Sequence, residues 1–335
     1  MKASLVTYDN SLKNRIFDLS KRDNNSRKFI HLKNKLQNHN IFLETYDINP
    51  QEESIISIYF DVHKKALSKK RSQKNILVAR ESPIINKYNN EQKYLNKFDL
   101  IMTWNRNLCD QKKIFWIGYG NSANMYNQDL KNIYGLKENA ICSIISKKNA
   151  KNKSSLYRER EKAINFFKNT DLGIDLYGFG WDSRQFSGVS RPLNKISFAR
   201  KFLYSPPSSY KGTVSSKSLT FSKYKFSLCF ENCIHNSYIT EKIFDSMFAG
   251  CIPIYLGCPN IKKEIDPNTF IDMRDFSSYK ELYFYLKSMT KKEYLFKISK
   301  IIDFYKEYIN TTYYYLNWAD SITSKCLKLI NESYL

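Results

Sequence analysis

The sequence predicts two α/β domains in tandem, each a parallel sheet wrapped by helices, facing each other across a cleft. Three observations lead there. The chain has 335 residues, and with about 150 residues as a usual domain size two domains fit better than one. Short, almost uninterrupted apolar segments alternate with helical stretches, the pattern of parallel strands covered on both faces. The alternation occurs twice, on either side of a polar connection rich in Gly and Asn at residues 120–138. A doubly wound, Rossmann-like sheet in each half is the economical arrangement.

In the first half, residues 3–8 read as a strand, 26–37 as a basic helix and 41–47 as a second strand. Residues 54–62 (Ser-Ile-Ile-Ser-Ile-Tyr-Phe-Asp-Val) form a third strand, nearly continuous in apolar side chains, and 75–79, 98–104 and 113–117 complete the sheet. In the second half, residues 140–146 are a strand and 156–167 a helix with apolar residues at i, i+3 and i+4. Strands at 175–177 and 226–230, a helix at 239–248, and strands at 251–256 and 270–273 follow. Two helices start from Ser277, and a moderately apolar helix at 322–330 is expected to pack back on the body. The expected divisions are residues 1–130, residues 138–315 and a carboxy-terminal piece at 316–335. Ligands of such sheets sit at the carboxyl ends of the strands, so the cleft is the place for a site.

Apolar residues make up 42% of the chain and include 25 Tyr and 22 Phe, enough for a real core, which excludes a disordered tail protein. The net charge of +22 points to acidic partners: phosphates, nucleic acid or an anionic membrane surface. The excess is shared by residues 1–150 (26 basic, 14 acidic) and 151–335 (28 basic, 18 acidic), so it is no basic tail. No apolar run approaches the ~20 residues that cross a bilayer, and the segment from Met1 to Asp9 reads as a first strand rather than a secretion signal. Seven cysteines without a Cys-x-x-Cys pair suit reduced thiols and a cytoplasmic location; Cys229, Cys251 and Cys258 lie in or beside apolar stretches. Cys229, Cys233 and His235 come near metal-ligand spacing, but nothing supplies a fourth ligand, so no metal is expected there. The acid-free cluster Lys64, Lys65, Lys69, Lys70, Arg71 and Lys74 reads as a solvated face, with a membrane or nucleic-acid contact as the alternative.

The stretch that carries chemistry runs from Tyr224 to Gly257. A buried strand ends at Glu231-Asn232, and a short loop leads to a helix capped near Ser237 or Thr240. Ile239, Ile243 and Met247 share one face of that helix, which stops at Ala249-Gly250 before Cys251-Ile252-Pro253 returns to the sheet. Polar residues thus gather where a strand ends and a helix begins, a place that favours an anion. Lys242, in the first turn, opposes the helix dipole, and a bound phosphate would account for it; Glu241 beside it could accept two hydroxyls of a ribose. The same pair also reads as a Glu-Lys couple that merely solvates a helix start. Glu81 closely follows the strand at 75–79, at its carboxyl end, where a base would face the cleft.

Over this stretch, Tyr-Lys-Phe-x-Leu-x-Phe-Glu-Asn, then Tyr-Ile-Thr-Glu-Lys, then Ala-Gly-x-Ile-Pro-Ile-Tyr-x-Gly resembles the signature of the α1,3/α1,4-fucosyltransferases. Ala79-Arg80-Glu81-Ser82-Pro83, Phe98–Trp104 (Phe-Asp-Leu-Ile-Met-Thr-Trp) and Leu156–Ile164 (Leu-Tyr-Arg-Glu-Arg-Glu-Lys-Ala-Ile) resemble further parts of the same family. The resemblance implies the GT-B arrangement, with the amino-terminal domain for the acceptor and the carboxy-terminal one for a GDP-sugar. It implies Lys242 and Arg160 at the donor diphosphate, Glu241 at the ribose, Asn232 and Tyr238 in the nucleotide pocket, and Glu81 as general base. Arg158 rivals Arg160, and spacing from Ala163-Ile164 favours Arg160. The implied reaction is inverting transfer of L-fucose from GDP-β-L-fucose to a glycan hydroxyl, in α1,3 or α1,4 linkage to GlcNAc.

No cofactor is expected, and a metal is expected to be dispensable: the Asp-x-Asp motif that chelates metal in the other large glycosyltransferase architecture does not occur. The expected partners are GDP-fucose, an oligosaccharide acceptor, and an anionic inner membrane face touched peripherally. The rival of the same shape uses another GDP-sugar; the rival of another class is a nucleic-acid-binding protein, disfavoured because the charge is spread and no recognised nucleic-acid motif appears. The membrane anchor and paired cysteines of animal members are not evident, and Phe179 stands where relatives often carry a basic residue.

Overall fold

The structure, a computed structural model, describes residues 1–7, 11–20, 23, 25–69, 71–126, 134–150, 152–183, 198 and 204–332. Tyr8 of the first expected strand, Lys70 of the basic cluster, residues 127–133 of the expected connection and the last three residues lie outside the described residues.

The described residues build two parallel sheets. In the first, β1 (Lys2–Thr7), β2 (Phe42–Thr45), β3 (Ile56–Phe60), β4 (Lys74–Ala79), β5 (Leu100–Thr103) and β6 (Ile114–Trp116) lie in the order β2-β1-β3-β4-β5-β6. Pairings such as Ala3 with Ile56 and Ile58 with Ile76 set the register. Every residue of β3 is buried, because both faces of that strand are covered, and this is why its sequence is continuously apolar rather than alternating. Helix α1 (Arg27–Gln37) lays Phe29, Leu32 and Leu36 on one face. Two short helices, α2 (Lys64–Leu67) and α3 (Gln92–Leu95), sit after β3 and before β5.

The second sheet holds β7 (Glu138–Ile144), β8 (Ile174–Tyr177), β9 (Tyr224–Phe230), β10 (Ile252–Leu256) and β11 (Ile271–Asp272), in the order β11-β10-β9-β7-β8. Helices α4 (Tyr157–Phe167), α5 (Lys217–Phe221), α6 (Glu241–Met247), α7 (Tyr279–Ser288) and α8 (Lys291–Tyr308) accompany it. Strand β7 begins before the expected residue 140, across a register shift between Glu138 and Ile141. Helix α5 was not expected: five residues are too few to carry an amphipathic period, and its start is fixed instead by Ser216, whose side chain accepts from the Leu219 N–H.

The last helix, α9 (Tyr315–Asn331), starts well before the expected residue 322. Trp318, Ala319, Ile322, Cys326, Leu329 and Ile330 all enter the core of the first sheet, a continuous apolar face that begins one turn earlier than the plainly aliphatic stretch. The chain therefore returns to its first domain after completing the second. Trp318 stacks on Phe60 with ring centroids 5.5 Å apart. Backbone bonds from Asn121 N–H to the Tyr313 carbonyl (2.6 Å) and from Tyr315 N–H to the Asn121 carbonyl (3.1 Å) tie the two crossings together. Arg106 clamps Glu264 across the domains with two bonds of 3.0 Å. Among the described residues no helix is long and apolar enough to cross a membrane.

Candidate active site

The carboxyl ends of both sheets open into one cleft of about 1050 Å³. Glu81, Arg160, Asn232, Tyr238, Glu241 and Lys242, scattered over more than 160 positions of sequence, all line it. Each is placed by a strand end or a helix start. Glu81 follows β4, Arg160 lies in the first turn of α4, Asn232 follows β9, and Glu241 and Lys242 open α6.

Strand β9 ends on Phe230, whose carbonyl oxygen accepts two bonds from Arg160, at 3.2 Å from Nε and 2.6 Å from Nη2. Nη2 also donates to Asn232 Oδ1 at 3.1 Å. The guanidinium is thereby fixed although its residue is only 4% exposed, and burial depresses its pKa. Arg158, on the opposite side of the same turn, is exposed and does not line the cleft. Tyr238 is held edge-on against Trp104 at 4.8 Å, a contact between the two domains.

Sequence reasoning left Glu231 without a role, yet it organises the start of α6. Fully buried, its carboxylate accepts from the Thr240 N–H (2.9 Å), from the Thr240 hydroxyl (2.9 Å) and from Lys242 Nζ (3.0 Å). Thr240 is the residue that precedes the helix, but its hydroxyl is turned to Glu231 rather than capping the helix, which corrects the expected cap; Ser237 lies further back at φ 62. Lys242 Nζ also touches Thr240 Oγ1 at 2.8 Å and Glu241 Oε1 at 3.5 Å. Burial disfavours its charge, but Glu231 and Glu241 outweigh that and raise its pKa. A cation at the wrong end of a helix dipole is thus kept in place and charged by a carboxylate behind it. The Gly at 257 belongs to the same device: a Cβ there would come within 2.5 Å of Glu231 Cγ. At the other end of α6, Gly250 at φ 73 lets its own N–H reach the Met247 carbonyl and the Cys251 N–H reach that of Ser246.

Glu231→Ala is expected to leave the buried Lys242 with the longer 3.5 Å contact to Glu241 as its only ion pair among the described residues, and to remove the partner of Thr240. Breaking a buried pair in this way costs about 3 kcal/mol or more. Urea unfolding should register that loss, and a change under 1 kcal/mol would show that Lys242 relaxes without Glu231.

Burial would push the Glu241 carboxyl up, but Lys242 and Lys217 outweigh it and hold it well below the usual range. Its Oε2 is buried without a hydrogen-bond partner, an ionised acceptor waiting for donors such as vicinal hydroxyls. Lys217, from the unexpected helix α5, lines the cleft and pairs with Asp245 at 2.8 Å. On the facing domain, the Glu81 carboxylate makes no hydrogen bond or ion pair among the described residues. Burial and the neighbouring Asp61 raise its pKa to about 7. Asp61 is itself fixed by accepting from the N–H groups of Arg80 (2.7 Å) and Glu81 (2.8 Å).

Cys229, Cys233 and His235, which come near metal-ligand spacing in the sequence, are engaged in packing and hydrogen-bond contacts instead. Cys229 Sγ meets the Lys242 carbonyl, Cys233 packs with Trp104 and Tyr238, and His235 stands edge-on to Trp104. Among the described residues no three His, Cys, Asp or Glu side chains gather as metal ligands.

Two parallel α/β domains meeting at their strand ends are the GT-B glycosyltransferase fold, and solved structures of that class superpose on nearly all of the chain. An α1,3-fucosyltransferase solved with GDP-fucose aligns over 92% of this chain and 89% of its own at TM-score 0.53 and 19% identity. The Anabaena HepE protein with UDP and glucose aligns over 98% and 100% at TM-score 0.57 and 10% identity. Residues 135–326, more than half of the sequence, match the family model of glycosyltransferase family 10 (fucosyltransferase), C-terminal part, and the chain belongs to that family. The chain is 43% identical over 74 residues to the α-(1,3)-fucosyltransferase FucT of Helicobacter pylori. It is also 43% identical over 79 residues to the mouse 4-galactosyl-N-acetylglucosaminide 3-α-L-fucosyltransferase 9. These matches span 22% and 23% of this chain and only 16% and 22% of the respective relatives.

Proposed function

We propose that the protein is an inverting fucosyltransferase that moves L-fucose from GDP-β-L-fucose to a hydroxyl of a glycan acceptor, GlcNAc in an α1,3 or α1,4 linkage. One observation supports this reading most: an unpartnered carboxylate, Glu81, faces a pair of anchored cations, Arg160 and Lys242, across one cleft in a member of family 10. The acceptor hydroxyl attacks the anomeric carbon and gives its proton to Glu81. The bond from that carbon to the phosphate oxygen breaks, and GDP leaves with the electron pair. Lys242 and Arg160 offset the negative charge as it grows on the diphosphate, which serves the leaving group without a proton donor or a metal. Asn232 and Tyr238 flank the nucleotide, and the orphan Oε2 of Glu241 accepts from the ribose hydroxyls. Attack opposite the leaving group inverts the anomeric centre through an oxocarbenium-like transition state.

Thermal unfolding with GDP, GDP-fucose, GDP-mannose and UDP-glucose tests the donor. GDP-fucose and GDP should raise Tm most; a larger shift with the UDP-sugar overturns the guanine assignment. Labelled GDP-fucose on a panel of oligosaccharides then reads transfer directly, and label on none of them counts against the reaction.

A further inference from the structure

The cleft continues into a second one of about 1060 Å³ on the side of the first domain, sharing Glu81, Tyr119, Lys217 and Glu241 with it. Its remaining wall comes from the first sheet, the amino-terminal end of α1 and neighbouring loop residues such as Ser11 and Asn121, and it contains two cations that the donor site does not use. Lys28 is 4% exposed. Its Nζ has one hydrogen bond, a long 3.4 Å contact to the Tyr119 carbonyl oxygen, and otherwise lies 4.9 to 5.5 Å from the rings of Tyr119, Phe29 and Trp318. The Arg80 guanidinium lies over the same Tyr119 and Phe29 rings, at 5.1 and 5.4 Å. It makes no hydrogen bond or ion pair among the described residues, and its Nε is buried without a partner. Beside them Ser26, 1% exposed, precedes α1 without capping it, and its Oγ is also buried and unpartnered.

Of the three acids that line this cleft, Asp61 and Glu241 are engaged elsewhere, and Glu81 makes no ion pair with either cation. Asp61 Oδ1 accepts from two backbone N–H groups and from Asn89, Glu241 faces Lys242, and Lys217 is taken by Asp245. Aromatic faces soften the cost of the buried cations but supply no lone pairs for their N–H groups. Burial and the adjacent Arg80 push the Lys28 amine well below its usual range, a penalty that an anion lodged beside both groups would remove. The amino-terminal end of an eleven-residue helix adds a favourable dipole.

We propose that this second cleft receives an anionic substituent of the acceptor saccharide, a carboxylate or a phosphate monoester, held by Lys28 and Arg80 with Ser26 donating a hydrogen bond. The inference rests on the reading of Glu81 as the base, because an acceptor that reaches Glu81 from this side lies along Lys28 and Arg80. A neutral saccharide gives neither cation a direct ion pair, the nearby carboxylates acting on them only at a distance, so the site discriminates among acceptors by charge.

The test titrates the GDP-loaded full chain with three disaccharides, β-linked galactosyl-, galacturonosyl- and 6-phosphogalactosyl-GlcNAc, and follows binding calorimetrically. Charge-assisted hydrogen bonds from two buried cations should make at least one acidic compound bind roughly tenfold or more tightly than the neutral one. Which acidic compound gains identifies carboxylate or phosphate. Lys28→Gln and Arg80→Gln should each bring that ratio close to one, whatever they do to absolute affinity. Where either variant folds poorly, Ser26→Ala, which removes a hydroxyl alone, should still lower the ratio severalfold. Equal affinity for all three compounds, or a ratio that survives every substitution, overturns the proposal. Fucose transfer to the neutral disaccharide without any acidic preference sinks this inference and leaves the proposed reaction standing; acidic preference without transfer from GDP-fucose does the reverse.

Discussion

Glu81→Ala is expected to lower kcat by about a hundredfold to ten-thousandfold, the range that a positioned general base supplies, while GDP affinity stays within about threefold of the parent, a change worth less than 1 kcal/mol. The split follows from position. Glu81 stands on the first domain at the end of β4, whereas the groups proposed to hold the nucleotide belong to the second. Glu81→Gln keeps the volume and should behave alike, which separates proton removal from packing. The pH profile carries the sign. The base works ionised, so kcat/KM of the parent should rise with pH through about 7, the value to which burial and Asp61 raise this carboxyl. The same shift means that folding stability falls as pH rises from about 4.5 to about 7, where the folded chain still holds a proton that the unfolded chain has lost, and the whole cost is present above that range. Glu81→Gln should therefore be at least as stable as the parent at pH 8. Retention of most activity by Glu81→Gln removes it from the mechanism.

Lys242→Met is expected to cost about a hundredfold to a thousandfold in kcat, as for other fixed groups aimed at developing charge, and about tenfold or more in GDP affinity. The substitution also leaves Glu231 buried with Thr240 as its remaining hydrogen-bond donor, so some loss of stability accompanies it. The double variant Lys242→Met, Glu231→Gln removes the stranded charge. Its Tm should recover relative to the single variant while transfer does not. If transfer recovers together with Tm, Lys242 supports the fold and not the leaving group.

Much of the scaffold is legible in the sequence because burial on both faces writes itself into composition. Ile56–Phe60 and Tyr224–Phe230 are apolar almost throughout, and each proved to be an inner strand. The motif from Tyr224 to Gly257 is equally legible, since strand, helix start and returning strand are contiguous and local chemistry fixes each join. Helix α5 left no such mark, because its place depends on Ser216 and on the pair between Lys217 and Asp245, which lie 28 positions apart. The start of α9 was obscured because Trp318 and Ala319 find their core on a domain that the chain had left some two hundred residues earlier.

The sequence by itself determined the class of fold and the residue types brought to the strand ends, because apolar periodicity and turn chemistry act over a few neighbouring positions. Only the tertiary structure decided that Glu231 stands behind Lys242, that Arg160 rather than Arg158 turns inward, and that Lys28 and Arg80 share a cleft with Glu81. Those pairings depend on the meeting of distant elements, and the energy of a charge is set by what surrounds it rather than by what precedes it in the chain.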